Sequence, residues 1–95
     1  LHGPIVVNIP ELFIPNVFSP NGDMQNDRYL VEYNGSQPFF LEIYDRWGRL
    51  HYQTKNKMQG WQGTDLKGRS VPEGTYYYRL RIGDREFAGD LTLVR

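Results

Sequence analysis

The 95-residue sequence has no cysteine, which excludes disulfides, thiolate-held metals and cysteine nucleophiles together. It has no excess of either charge, with 11 Lys+Arg against 11 Asp+Glu. The electrostatic footprint that non-specific nucleic-acid binding or attachment to anionic lipid needs is therefore missing. Long apolar runs are missing too: Ile5-Val6-Val7 and Leu12-Phe13-Ile14 are representative, far short of the roughly 18 residues of a membrane helix. The opening Leu1-His2-Gly3-Pro4 has neither the basic start nor the apolar stretch of a signal peptide. It also lacks an initiator methionine and reads as a cut inside a longer protein, with residues 1–10 forming a linker and first strand from a preceding region.

Catalytic chemistry has little to work with. Histidine occurs only at His2 and His51, and serine only at Ser19, Ser36 and Ser70, none inside a G-x-S-x-G elbow. Two distant histidines and scattered carboxylates fall short of a zinc site. A domain this small offers no cleft for a sugar chain between paired carboxylates. The expectation is a protein that is not an enzyme and carries no cofactor.

What is present points to strands. Alanine appears once, at Ala88, while aromatics reach 15%, so helix formers are scarce and strand formers common. Leu, Ile, Val and Phe make up about a quarter of the chain, above the roughly 20% below which chains tend to stay disordered. Gly and Pro punctuate the sequence at the intervals expected of short-stranded sandwiches. Between them the apolar period is two: Phe39, Leu41 and Ile43; Tyr76, Tyr78, Leu80 and Ile82; Leu91 and Leu93. These nine residues are the expected core, because a one-residue register slip would turn all of them to solvent.

The expected strands are 5–9, 16–18, 28–33, 39–46, 49–53, 75–82 and 86–94. Trp47-Gly48 and Gly83-Asp84-Arg85 read as tight hairpin connections. The stretch from Gln59 to Gly74 reads as a long loop whose Trp61 folds back as a lid. Seven short strands suggest an all-β, seven-stranded antiparallel immunoglobulin-like β-sandwich. No internal repeat is apparent.

Three constellations invite a functional reading. Asn21, Asp23, Asn26 and Asp27 fall in an oxygen-rich loop, Ser19 to Asp27. Either Asn21, Asp23 and Asn26 bond their own backbone in a turn, or Asn21, Asp23, Gln25 and Asp27, which fall at alternate positions, face one calcium ion. No glutamate completes a calcium loop at the expected distance. Asp45, Arg46, Trp47 and Arg49 lie at a strand end and hairpin. There Trp47 is either a recognition group stacked with arginine or a plug at one end of the sandwich. Tyr77, Arg79 and Arg81 alternate on one strand as single-strand nucleic-acid platforms do, but the neutral charge and nearby Glu86 and Asp90 favour a solvated face.

These residues resemble a known family. Ile14-Pro15-Asn16-Val17-Phe18-Ser19-Pro20-Asn21-Gly22-Asp23, followed by Asn26-Asp27, is similar to the opening motif of the gliding-motility-associated C-terminal domain. Ile43-Tyr44-Asp45-Arg46-Trp47-Gly48 and Gly60-Trp61-Gln62-Gly63-Thr64 resemble its middle motif. Val71-Pro72-Glu73-Gly74-Thr75-Tyr76-Tyr77-Tyr78 and Gly89-Asp90-Leu91-Thr92-Leu93-Val94-Arg95 resemble its last two. The family has glycine where Met24 stands and aspartate where Gln62 stands. Both departures weaken a cation site at either loop.

The resemblance implies a "type B" C-terminal sorting domain of the type IX secretion system of Bacteroidota, occupying residues 11–95. It implies passage through the periplasm to the cell surface or medium, an N-terminal cargo in the same chain, and reading by secretion machinery that includes a dedicated outer-membrane barrel protein. A chain ending on its last strand suits an address placed last. The surface expected to be read holds Asp45, Arg46, Trp47, Arg49 and Trp61. The other reading from the residues is an immunoglobulin-like adhesion or carbohydrate-binding module of a surface protein.

Overall fold

The computed structural model describes residues 7–9, 11–20 and 27–95. Among them the chain is all-β, with eight strands: β1 (Val7–Ile9), β2 (Leu12–Ile14), β3 (Val17–Phe18), β4 (Glu32–Tyr33), β5 (Phe39–Tyr44), β6 (Leu50–Thr54), β7 (Gly74–Ile82) and β8 (Arg85–Leu93). They form a three-stranded sheet in the order β1-β2-β4 and a five-stranded sheet in the order β3-β8-β7-β5-β6.

The alternation read from the sequence sets the register of the larger sheet. Leu41 lies opposite Leu80 and Ile43 opposite Tyr78, while Tyr76 lies opposite Leu91. All nine expected core residues are buried, in one cluster with Leu12, Ile14 and Tyr33 of the smaller sheet. Leu80 and Ile43 are wholly enclosed, and truncating a residue in such a position to alanine costs about 2–5 kcal/mol. The alternate residues Thr75, Tyr77, Arg79 and Arg81 face outward and are exposed. Arg79 meets Glu86 there at 3.7 Å, and the Arg81 guanidinium lies 5.0 Å from the Phe40 ring.

Three expectations need correction. Among the described residues the count is eight strands and not seven, because Leu12–Ile14 is a strand that pairs with both β1 and β4. Three apolar residues between two prolines show no period, so the segment reads as a run and not as an element. The larger sheet is of mixed orientation and not purely antiparallel: β3 runs parallel to β8, with Val17 opposite Thr92 and Phe18 opposite Leu93. Two residues carry no directional signal. Of the expected strand over 28–33 only Glu32–Tyr33 is a strand. Tyr29 makes an isolated bridge to Trp61 instead, bonding it through both backbone groups at 2.7 and 3.0 Å.

Candidate functional site

The β5–β6 hairpin turns on one carboxylate. Asp45 Oδ1 accepts the amides of Trp47 and Arg49, each at 2.9 Å. Its Oδ2 accepts Arg49 Nε at 2.8 Å and lies 3.0 Å from His51 Nε2. His51 arrives there through an irregularity. The β5–β6 register shifts between Ile43 and Tyr44, so that Ile43 faces Tyr52 while Tyr44 faces Leu50. His51 is the extra residue, and a bulge of this kind re-aims its side chain. Burial by itself pushes the Asp45 carboxyl pKa up. The hydrogen bonds from Arg49, His51 and the Trp47 amide outweigh it and hold the group well below the usual carboxylate range.

This clasp presents a tryptophan to solvent. Trp47 is 67% exposed, with the Arg46 guanidinium 4.5 Å and that of Arg49 5.2 Å from its ring centroid. Gly48 closes the turn at φ +82°, a conformation that L side chains rarely adopt.

A second hairpin repeats the first. Asp65-Leu66-Lys67-Gly68-Arg69 matches Asp45-Arg46-Trp47-Gly48-Arg49 at Asp, Gly and Arg. Asp65 Oδ1 accepts the amides of Lys67 and Arg69 at 2.9 and 3.0 Å, and Oδ2 accepts Arg69 Nε at 3.0 Å. In each copy the Asp amide donates to the Arg carbonyl and the Gly amide donates to the Asp carbonyl. Gly68 sits at φ +83°. Hydrogen bonds led by that from the Arg69 amide lower the Asp65 pKa. The tip carries another exposed apolar side chain, Leu66, at 65%. The repeat was there to be read as two Asp-x-x-Gly-Arg pentapeptides, but a five-residue window with three identities is easily passed over. The expected absence of an internal repeat is thus corrected.

Both hairpins are rooted on Tyr76. Its ring lies 6.1 Å from that of His51, behind the first hairpin, and 5.3 Å from that of Trp61, behind the second. Its hydroxyl donates to the Pro72 carbonyl at 2.6 Å. Trp61 Nε1 donates to the Thr64 carbonyl at 2.7 Å, just before Asp65. Arg95 braces the same root, with Nη2 donating to the carbonyls of Gly63 and Val71 at 2.9 and 2.7 Å. A groove of about 440 Å³ separates Trp47 and Arg46 from Pro72 and Glu73, with Thr75 and Tyr77 in its lining.

The expected recognition residues therefore divide. Arg46, Trp47 and Arg49 are exposed together on one tip. Asp45 is buried beneath them and acts by holding the turn. Trp61 is the correction: it has no exposed surface and cannot touch a partner. It does fold back onto the core, as a lid would, against Phe18 at 5.4 Å. Asn21, Asp23 and Asn26 lie outside the described residues. Asp27 is half-buried at a groove lined by Phe13, Pro15, Val17 and Arg28. Among the described residues no group of three or more acidic or histidine side chains is placed to hold a metal.

Comparison with known proteins bears on what this surface is for. Residues 12–92 match the profile of the CHU_C type IX secretion signal domain. The chain belongs to this family. It is thus a signal for export by the type IX system, whose machinery is its partner class, and the protein that bears it is directed to the cell surface or the medium. A search of curated proteins found no match. Among solved structures, the fold is similar to part of PorZ from Porphyromonas gingivalis, described as an essential bacterial surface component of the type-IX secretion system. The TM-score is 0.60 at 20% identity, over 88% of this chain and 11% of PorZ. The chain thus spans about a tenth of that protein, and the likeness is one of fold.

Proposed function

We propose that the domain is read as a folded address through the Trp47 hairpin and the loop of residues 59–74 beside it, and that it acts by binding and not by catalysis. The reader is a dedicated outer-membrane barrel protein, met after the cargo and its C-terminal address have crossed the periplasm. The two sheets around one core support an immunoglobulin-like sandwich as the frame that carries this surface. One observation carries the reading: an indole exposed to solvent, with two guanidiniums against its ring, on a turn that a buried carboxylate fixes. Binding energy concentrates in Trp and Arg side chains whose positions are set before the partner arrives. The chemistry of the clasp supports a binding role as well. The oxygens of Asp45 are taken by Arg49, His51 and two amides, so this Asp–His pair is committed to holding a turn.

The test is export. Residues 1–95 fused to an inert periplasmic reporter should reach the surface of a host carrying the secretion system, and should fail without the cognate barrel protein. Trp47→Ala should abolish export while lowering the melting temperature by no more than about 2–4 °C (about 0.5 kcal/mol or less for an exposed side chain). Export of this folded variant at the wild-type rate would move the address elsewhere. The first place to look would then be β6, which forms the edge of the larger sheet and is open to strand addition.

A further inference from the structure

We propose that the two Asp-x-x-Gly-Arg hairpins form a two-point surface for carboxylates, and that the segment they take is an acidic stretch of a partner protein with apolar side chains among its Asp and Glu residues. This deepens the reading of the hairpins as the address and rests on it.

Each tip offers the same three groups. The apolar ones are Trp47 and Leu66, exposed at 67% and 65%. The tip cations are Arg46 and Lys67, whose side-chain nitrogens enter no hydrogen bond or ion pair of the described residues. The third group is the arginine of the clasp. Among the described residues, the Arg49 and Arg69 side chains are held through Nε alone, leaving the ends of side chains that are 70% and 71% exposed. An arginine held in this way keeps its terminal nitrogens for a second carboxylate, in the planar geometry that makes Arg–carboxylate pairs strong.

Each clasp aspartate offsets one cation, its own arginine at 2.8 or 3.0 Å, and leaves Arg46 and Lys67 in excess. Asp45 and Asp65 each accept two backbone amides and one guanidinium nitrogen, and Asp45 also faces His51. Across the groove, Glu73 is engaged by the Arg95 amide at 3.1 Å. The two pentapeptides hold four of the 11 basic and two of the 11 acidic residues, leaving seven and nine for the rest. A chain of zero net charge thus carries an excess of two positive charges on these two tips, and the residues behind both, His51 and Trp61, pack on Tyr76. A lipid surface is the lesser candidate, because attachment to anionic headgroups draws on a contiguous run of about four to eight cations, and here two tips carry two each.

The experiment uses the whole domain and a charge reversal, Arg46→Glu with Lys67→Glu, beside the conservative pair Arg46→Lys with Lys67→Arg. Binding is followed by NMR titration with a short glutamate–leucine peptide, with its glutamine–leucine counterpart, and with phosphatidylglycerol vesicles. Export is followed with the reporter fusion. The acidic peptide should shift resonances of residues 45–49 and 65–69, more weakly as salt rises, and the glutamine peptide should not. Charge reversal should lower peptide affinity about tenfold or more and abolish export, while the conservative pair keeps both. Binding to vesicles but not to the peptide would overturn the proposal. So would wild-type export of the folded charge-reversed domain. In that case loss of export in Trp47→Ala with Leu66→Ala would keep the hairpins as the address and discard only the carboxylate, whereas export of both variants would discard the address as well.

Discussion

The hairpins at residues 45–49 and 65–69 share a sequence pattern, five hydrogen bonds and a glycine conformation, yet they stand on different ground. The first caps two strands of the larger sheet, and its aspartate is buried beside His51. The second rises from a loop, closed by a single bridge between Thr64 and Ser70, with its Asp65 side chain 18% exposed against 7% for Asp45. A five-residue code is enough to make the turn. What surrounds the turn decides how much the fold depends on it.

The largest effect that would sharpen this contrast is removal of the two carboxylates. Asp45→Ala strips partners from two amides, a guanidinium and His51, and should destabilise the domain by about 2–3 kcal/mol in urea melts. Asp65→Ala should move the midpoint far less, and equal losses would break the comparison. Acid should show the same order. Both carboxyls titrate below their ordinary range, so their contribution is fully present above the unfolded pKa near 4 and is lost as pH falls through the lowered folded value. Stability should then be flat from neutrality to about pH 5 and fall below about pH 4, with Asp45→Asn flattening that acid limb more than Asp65→Asn.

Glycine replacement should instead show the hairpins to be alike. Gly48 and Gly68 have the same φ, and an added Cβ would meet nothing within 4 Å at either site. Only backbone strain remains, and alanine should cost about 1 kcal/mol at both, read as matched shifts in thermal melts. Smallest of all should be Trp47→Ala and Leu66→Ala. The exposed leucine should leave stability unchanged, and the tryptophan should lose no more than about 0.5 kcal/mol of exposed cation–π contact.

The sequence made some of this readable and hid the rest for identifiable reasons. Period-two alternation survives wherever a strand is long, so Phe39 to Ile43, Tyr76 to Ile82 and the Leu91–Leu93 pair were legible as core. Gly48 marked the first hairpin because it falls between two alternating segments. Gly68 did not mark the second, since Gln59 to Gly74 has no alternation on either side to frame it. Leu12–Ile14 and Val17–Phe18 are too short to show a period, and the parallel pairing of β3 with β8 depends on contacts far apart in the chain. Trp61 and Trp47 look equally available in a list of residues. Only the bridge from Trp61 to Tyr29 and its ring contacts with Phe18 and Tyr76 separate a buried lid from an exposed tip.

The pairing of Val17–Phe18 with Thr92–Leu93 has a consequence in time. Loops that join such distant residues close late, because chain entropy opposes them until other contacts have formed. β3 cannot dock until β8 exists, and the brace on the second hairpin comes from Arg95, further along still. A chain still emerging from the ribosome has neither contact. The fold is therefore closed from its far end: the parallel pair and the brace on the second hairpin form only once the last strand and Arg95 are present.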